Sequence, residues 1–231
     1  MKIGILTLPI TENYGGILQA LALYRTLNNE GHDVILIYKE AYPSKWKEMI
    51  KKILLYIPFH NFRNIKTDDK INKLKLDRTK FHREFIEKEI FKISKTLYTT
   101  ENLKHFVNEE NFDAIIVGSD QVWRKTYIND TYYKSYFLDF VDSSKTKKIA
   151  YAASFGKDYW EGKNDIENIS KLLKDFDAIS TRELSGVDIC KNSFNINNVK
   201  HVLDPTLLIN KEFYLDEIIS KYPILNITKG G

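Results

Sequence analysis

Short apolar runs alternate with longer amphipathic stretches along this 231-residue chain. The runs at 1–8, 33–38, 113–117, 147–153, 176–181 and 198–204 have strand length. The most continuous of them, 113–117, suits a parallel strand covered on both faces. Between the runs the spacing turns helical. Positions 17, 20, 21, 24 and 27 make one apolar stripe across 16–30, and Gly31 follows as a C-terminal stop. Strand, helix and strand over about 37 residues predict a right-handed βαβ unit. Helical patterns near 164–174 and over 183–192 repeat the alternation in the second half. The expected architecture is α/β, a doubly wound parallel sheet.

Residues 42–98 break this rhythm. Trp46, Met49, Ile50, Ile53, Leu54 and Ile57 recur at helical spacing among Lys45, Lys47, Lys51 and Lys52, and Pro58 ends that stretch. A second, charged helix is expected over 76–90, so the segment reads as a helical insertion after the second strand. Charge changes the picture here. Residues 43–96 hold 15 Lys/Arg against 7 Asp/Glu, whereas the formal charge of the whole chain is only +4. A basic helix at 45–57 with an apolar stripe has the pattern of a peripheral membrane contact; the ordinary alternative packs that stripe on the sheet. No nucleic-acid motif accompanies the patch, so nucleic acid is not an expected partner.

The lone Cys190 can form no internal disulfide, which favours a reducing compartment. The N-terminus opens on a strand pattern with no signal-peptide layout, and the longest apolar run, 53–59, is too short to span a bilayer. A cytoplasmic location is expected, with contact at the inner membrane face through 45–57.

Three polar turns follow strand patterns, where ligands collect in open α/β sheets. The first holds Asn13, Tyr14, Gly15 and Gly16 and leads to Gln19. The second holds Gly118, Ser119, Asp120 and Gln121, followed by Trp123. The third holds Ser154, Phe155 and Gly156. Four of the chain's ten glycines lie in these turns, where backbone must bend or approach a ligand. Free N–H groups where the first helix opens would attract phosphate or carboxylate; the plain alternative is a turn satisfied by Asn13. Asp120 is a candidate base or an N-cap, and Trp123 is better read as core. Arg182, just beyond a strand, offers a planar fork for oxyanions or a partner for Glu183. Asp204-Pro205 reads as a strand-ending turn, with a hinge before a second domain as the alternative. None of the five histidines is given a role.

Five phrases in order resemble the polysaccharide pyruvyl transferase family. They are Asn13-Tyr14-Gly15-Gly16-Ile17-Leu18-Gln19-Ala20, Gly118-Ser119-Asp120-Gln121-Val122-Trp123, Ile149-Ala150-Tyr151-Ala152-Ala153-Ser154-Phe155-Gly156, Ile179-Ser180-Thr181-Arg182-Glu183 and Val202-Leu203-Asp204-Pro205-Thr206-Leu207-Leu208. The resemblance covers 1–208. It implies a Rossmann-like half of a GT-B-like fold. It also implies transfer of a pyruvyl or enolpyruvyl unit from phosphoenolpyruvate to a sugar hydroxyl, in the making of cell-surface polysaccharide. The implied partners are phosphoenolpyruvate, as donor substrate and not a cofactor, and a saccharide acceptor that can be lipid-linked; no metal is implied. Asp120 is the expected catalytic group. Asn13, Tyr14, Gly15, Gly16, Gln19, Gly118, Ser119, Gln121, Ser154, Phe155, Gly156 and Arg182 are the expected substrate-binding positions, Arg182 because the family's Arg-Glu phrase is thought to hold phosphoenolpyruvate. The family's Ser-x-x-His-Gly-like phrase has no counterpart here. The expectation is therefore an N-terminal domain over 1–208, with 209–231 the start of a second domain or a tail, incomplete for turnover. Two alternatives stand beside this: a non-catalytic relative that binds an anion or a partner chain, and half of a sugar-nucleotide glycosyltransferase.

Overall fold

The computed structural model describes residues 1–9, 13–40, 80–128 and 133–219. Six parallel strands form one sheet: β1 (Lys2–Leu6), β2 (Asp33–Ile37), β3 (Ala114–Val117), β4 (Lys147–Ala153), β5 (Ala178–Thr181) and β6 (Val199–His201). The described helices are α1 (Tyr14–Asn29), α2 (Lys80–Glu89), α3 (Thr100–Glu110), α4 (Ile166–Lys174) and α5 (Leu184–Phe194). The doubly wound α/β class expected from the alternation is what the chain adopts.

Alternating strand positions feed two separate cores. Ile3, Ile5 and Ile116 point to one face and pack with Ile17, Leu21 and Tyr24 of α1 and Ile86 of α2. Leu6, Ile115, Val117 and Ala150 point to the other, against Leu103 and Phe106 of α3, Leu173 of α4 and Ile189 of α5. Period-two strands between period-3.6 helices require this division. The second core continues into an aromatic cluster of Trp123, Phe137, Phe155, Trp160 and Phe194. Each such buried ring contributes about 1.5–3 kcal/mol. Trp123 is core, as expected, and its Nε1 donates to Tyr136 O at 2.8 Å.

Strand order is β2-β1-β3-β4-β5-β6. From β1 the chain winds outward to β2, then crosses back to place β3 on the other side of β1. This reversal opens a crevice at the carboxyl ends of β1 and β3.

Three elements differ from the sequence reading. Helix α3 was not foreseen. Its start is marked by a capping box in which Asn102 N donates to Thr99 Oγ1 and Thr99 N donates to Asn102 Oδ1, and left-handed Asn111 ends it. Within 42–98, α2 confirms part of the expected helix at 76–90, but 90–98 runs extended beside β2. Leu36 N donates to Lys92 O, Ser94 N to Leu36 O and Leu97 N to Tyr38 O, which covers an edge strand that would otherwise present open backbone. The expected basic helix at 45–57 lies outside the described residues. Finally, β6 is only three residues long instead of running to 204, because Asp204 leaves the ladder to cap the turn Pro205–Leu208.

Candidate functional site

All six strands are parallel, so the three polar turns share the carboxyl edge of the sheet, after the adjacent strands β1, β3 and β4. At the crevice between β1 and β3, Gln19 Nε2 donates to Thr7 Oγ1 at 2.9 Å and to Gly16 O at 2.8 Å. Gln19 is buried, and its Oε1 has no partner among the described residues. A cleft beside it is lined by Thr7, Pro9, Asn13, Gly16, Tyr38 and Asp120, among others. Asn13 occupies the N-cap position of α1 without its side chain capping the helix. The start of α1 carries the partial positive charge of a helix N-terminus. Tyr14 and Gly15 are exposed on this rim.

Asp120 joins this crevice to the rest of the edge. A Cβ on Gly16 would lie 3.0 Å from Asp120 Oδ2, so the bare glycine lets the carboxylate approach α1. Asp120 has φ +78°, a left-handed conformation unusual for a residue with a side chain. Its carbonyl accepts from Ser154 N at 3.1 Å, tying the β3 turn to the β4 turn. Burial pushes the Asp120 carboxyl above the ordinary range, against the opposing pull of the Gln121 N–H and the Arg182 charge.

Beyond β4 and β5 lies a network of charge. Arg182 Nη1 donates to Asp204 Oδ2 at 3.0 Å, and Arg182 Nε to Glu183 Oε1 at 3.1 Å. Ser119 Oγ donates to Asp204 Oδ2 and Ser154 Oγ to Glu183 Oε1, both at 2.9 Å. For Asp204, burial favours protonation, but hydrogen bonds from Thr206, Arg182 and Ser119 outweigh it and hold the carboxyl below its ordinary range. For Arg182, burial favours the neutral form, yet its two carboxylate partners raise the pKa. A bulge in β4 aims Ser154 into this network. Ala152 takes φ +52°, and Ser180 stitches the irregularity by accepting from Ala152 N and donating to Ala150 O, each at 3.0 Å.

Most expected positions are therefore brought together: Asn13, Gly16 and Gln19 at the crevice, Gly118, Ser119, Asp120 and Gln121 after β3, Ser154 and Gly156 after β4, and Arg182 after β5. Ser119 and Ser154 are fully buried and act by holding carboxylates. Phe155 sends its ring into the aromatic core and only its backbone belongs to the turn. Two residues were missed. Asp204 was read as a plain turn but is the ion-pair partner of Arg182. Arg124 was not singled out; its Nη1 donates to Gln121 Oε1 at 2.8 Å, against the turn at Gly156. A basic residue directly after the Gly118–Trp123 phrase was the available signal.

The architecture and this edge define a doubly wound α/β protein with a polar, charge-rich site at its topological switch point. A sequence profile of the polysaccharide pyruvyl transferase family matches residues 13–229, and the chain belongs to that family. None of the curated proteins compared matches the chain. The family joins a pyruvyl donor to a saccharide acceptor. Among the described residues, no helix is long and apolar enough to cross a membrane.

Proposed function

We propose that the chain takes part in transfer of a pyruvyl or enolpyruvyl unit from phosphoenolpyruvate to a sugar hydroxyl of a cell-surface polysaccharide or its lipid-linked precursor. The observation that carries this reading is the meeting, at one sheet edge, of a raised-pKa carboxylate, a fixed arginine fork and a helix start. In this reading Asp120 is the base. Its elevated pKa makes it a better proton acceptor, and it takes the proton of the sugar hydroxyl as that oxygen attacks C2 of the donor. A proton returned to the donor's methylene carbon completes the addition. Phosphate then leaves C2 with the electron pair of its C–O bond. The resulting cation is discharged by loss of a methyl proton, which gives the enolpyruvyl ether, or by attack of a second sugar hydroxyl that gives up its proton, which gives the ketal.

Arg182 and the start of α1 hold the donor's anionic groups. Two of the five N–H donors of Arg182 are engaged by Asp204 and Glu183, and the fork they fix keeps the rest in one plane. Because its charge is already compensated, Arg182 supplies direction more than net attraction.

The test is incubation of the full chain with phosphoenolpyruvate and mannose- or galactose-containing acceptors, following phosphate release and the mass of the acceptor. Phosphate release with a matching gain of a pyruvyl unit supports the reading. Anion binding without turnover on any acceptor would show that this chain alone does not carry out the transfer.

A further inference from the structure

The two arginines of the carboxyl edge are held very differently. Arg182 sits between two carboxylates, whereas Arg124 has none at ion-pairing distance among the described residues. Its Nη1 is held by the neutral amide oxygen of Gln121, its guanidinium lies 5.7 Å from the ring centre of Tyr127, and its buried Nε has no partner among the described residues. The nearby Glu161 accepts from Thr126 N and Thr126 Oγ1; against burial, these bonds and the Arg124 charge hold its carboxyl below the ordinary range, but no ion pair joins the two. A half-buried guanidinium with an unsatisfied donor and no ion-paired carboxylate among the described residues is costly to keep. A partner that supplies negative charge removes that cost.

The surroundings hold Arg124 in place. Gly156 has φ +63°, and a Cβ there would come within 2.7 Å of Gln121 Oε1 and 2.9 Å of Arg124 Cδ. Only a bare backbone leaves room for the amide and the arginine stem together. Gln121 N in turn donates to Asp120 Oδ1 at 2.8 Å, which links the arginine to the carboxylate proposed as base. The Ser154–Gly156 turn also contacts the Arg182 network through Ser154 and Glu183. One turn thus carries, among the described residues, a cation without an ion pair on one flank and an ion-paired one on the other.

We propose that Arg124, clamped by Gln121 over Gly156, is an oxyanion-binding residue of this site, taking a phosphate or carboxylate group. The identity of that anion as one end of phosphoenolpyruvate rests on the function proposed above; the anion site itself does not. A planar fork is suited to either group. A donor with two anionic ends calls for two holders, and Arg124 supplies the one whose fork no carboxylate among the described residues occupies.

The experiment is calorimetric titration of the full chain and of Arg124→Gln with inorganic phosphate, pyruvate and phosphoenolpyruvate, each separately. The wild type is expected to bind phosphoenolpyruvate and at least one of the single anions. Arg124→Gln should weaken that binding roughly ten- to hundredfold. The single anion most affected identifies which end Arg124 holds. Equal affinities in the two proteins for all three probes, or no binding of any probe by the wild type, overturns the proposal. If Arg124→Gln fails to fold, Arg124→Lys keeps charge and stem but loses the planar fork. Its expected outcome is a partial loss of affinity, and unchanged affinity overturns the proposal. Because no probe here requires turnover, loss of binding in a chain that transfers nothing would retain the anion site while rejecting the transferase reading.

Discussion

Arg182 and Arg124 lie on one sheet edge and differ in what surrounds them. Arg182 joins β5 to the turn after β6 through Asp204, and joins the β4 turn through Glu183 and Ser154. Among the described residues Arg124 makes no side-chain hydrogen bond to a distant one. Its hydrogen-bond partner, Gln121, is three residues away. A guanidinium with two carboxylates is a structural tie with residual binding capacity, and one clamped by an amide is a charge held for something else. Counting basic residues along the edge would not separate the two.

The largest expected effect tests what both arginines serve. If Asp120 is the base, Asp120→Asn should lower turnover roughly a hundred- to ten-thousandfold with phosphoenolpyruvate affinity nearly unchanged. Steady-state phosphate release beside calorimetry checks this. Because burial raises its pKa, activity should fall on acidification at a higher pH than for an exposed aspartate. An unchanged rate in Asp120→Asn would leave the arginines without a reaction to serve.

The comparison itself is sharpened by stability. Arg182→Ala strands two partly buried carboxylates and should cost on the order of 1–3 kcal/mol in urea denaturation. Arg124→Gln should cost less than about 0.5 kcal/mol, because no counter-ion loses its partner. Equal losses would break the distinction drawn between the two sites.

Gly156→Ala places a side chain at positive φ and against Gln121 and Arg124, and should cost about 1–2 kcal/mol. It should also weaken anion binding while the Arg182–Asp204 pair stays formed. A melting curve and a phosphate titration on the same preparation read both effects.

The smallest effects lie in acid. The Asp204 carboxyl is held below its ordinary value of 3.8, so its stabilisation is fully present above that pH and is lost as pH falls through the depressed folded value. Asp120 is raised above 3.8, so it has the opposite sign: its cost is present above the folded value and is relieved as pH falls through it toward 3.8. Asp204→Asn should flatten the acid loss of stability and Asp120→Asn should steepen it. Urea midpoints between pH 3 and 6 would show the two slopes, each about 1 kcal/mol or less. Slopes of the same sign would overturn the assignment.

Much of this was legible in the chain. The strands of the sheet follow from apolar runs, α1 from its stripe and Gly31, and the three turns from glycine and polar residues directly after strands. Helix α3 was overlooked because only Leu103, Phe106 and Val107 face the core, a stripe too short to dominate its eleven residues. Its capping signal at Thr99 and Asn102 was present all the same. The cover over β2 from 90–98 could not be read locally, since the hydrogen bonds that hold it extended belong to a strand more than fifty residues earlier.

By itself the sequence determined the fold class and the placement of polar turns after β1, β3 and β4, because periodicity and turn chemistry act between near neighbours. Only the tertiary structure decided what the charges do. Ser119 and Asp204 are 85 residues apart, and Arg182 and Asp204 are 22 apart; the folded sheet edge makes them partners. Burial and ion pairing depend on what stands within a few ångströms, whatever its distance along the chain. For that reason Arg182, singled out in the sequence, proved ion-paired, and Arg124, passed over, proved to have no carboxylate at ion-pairing distance among the described residues.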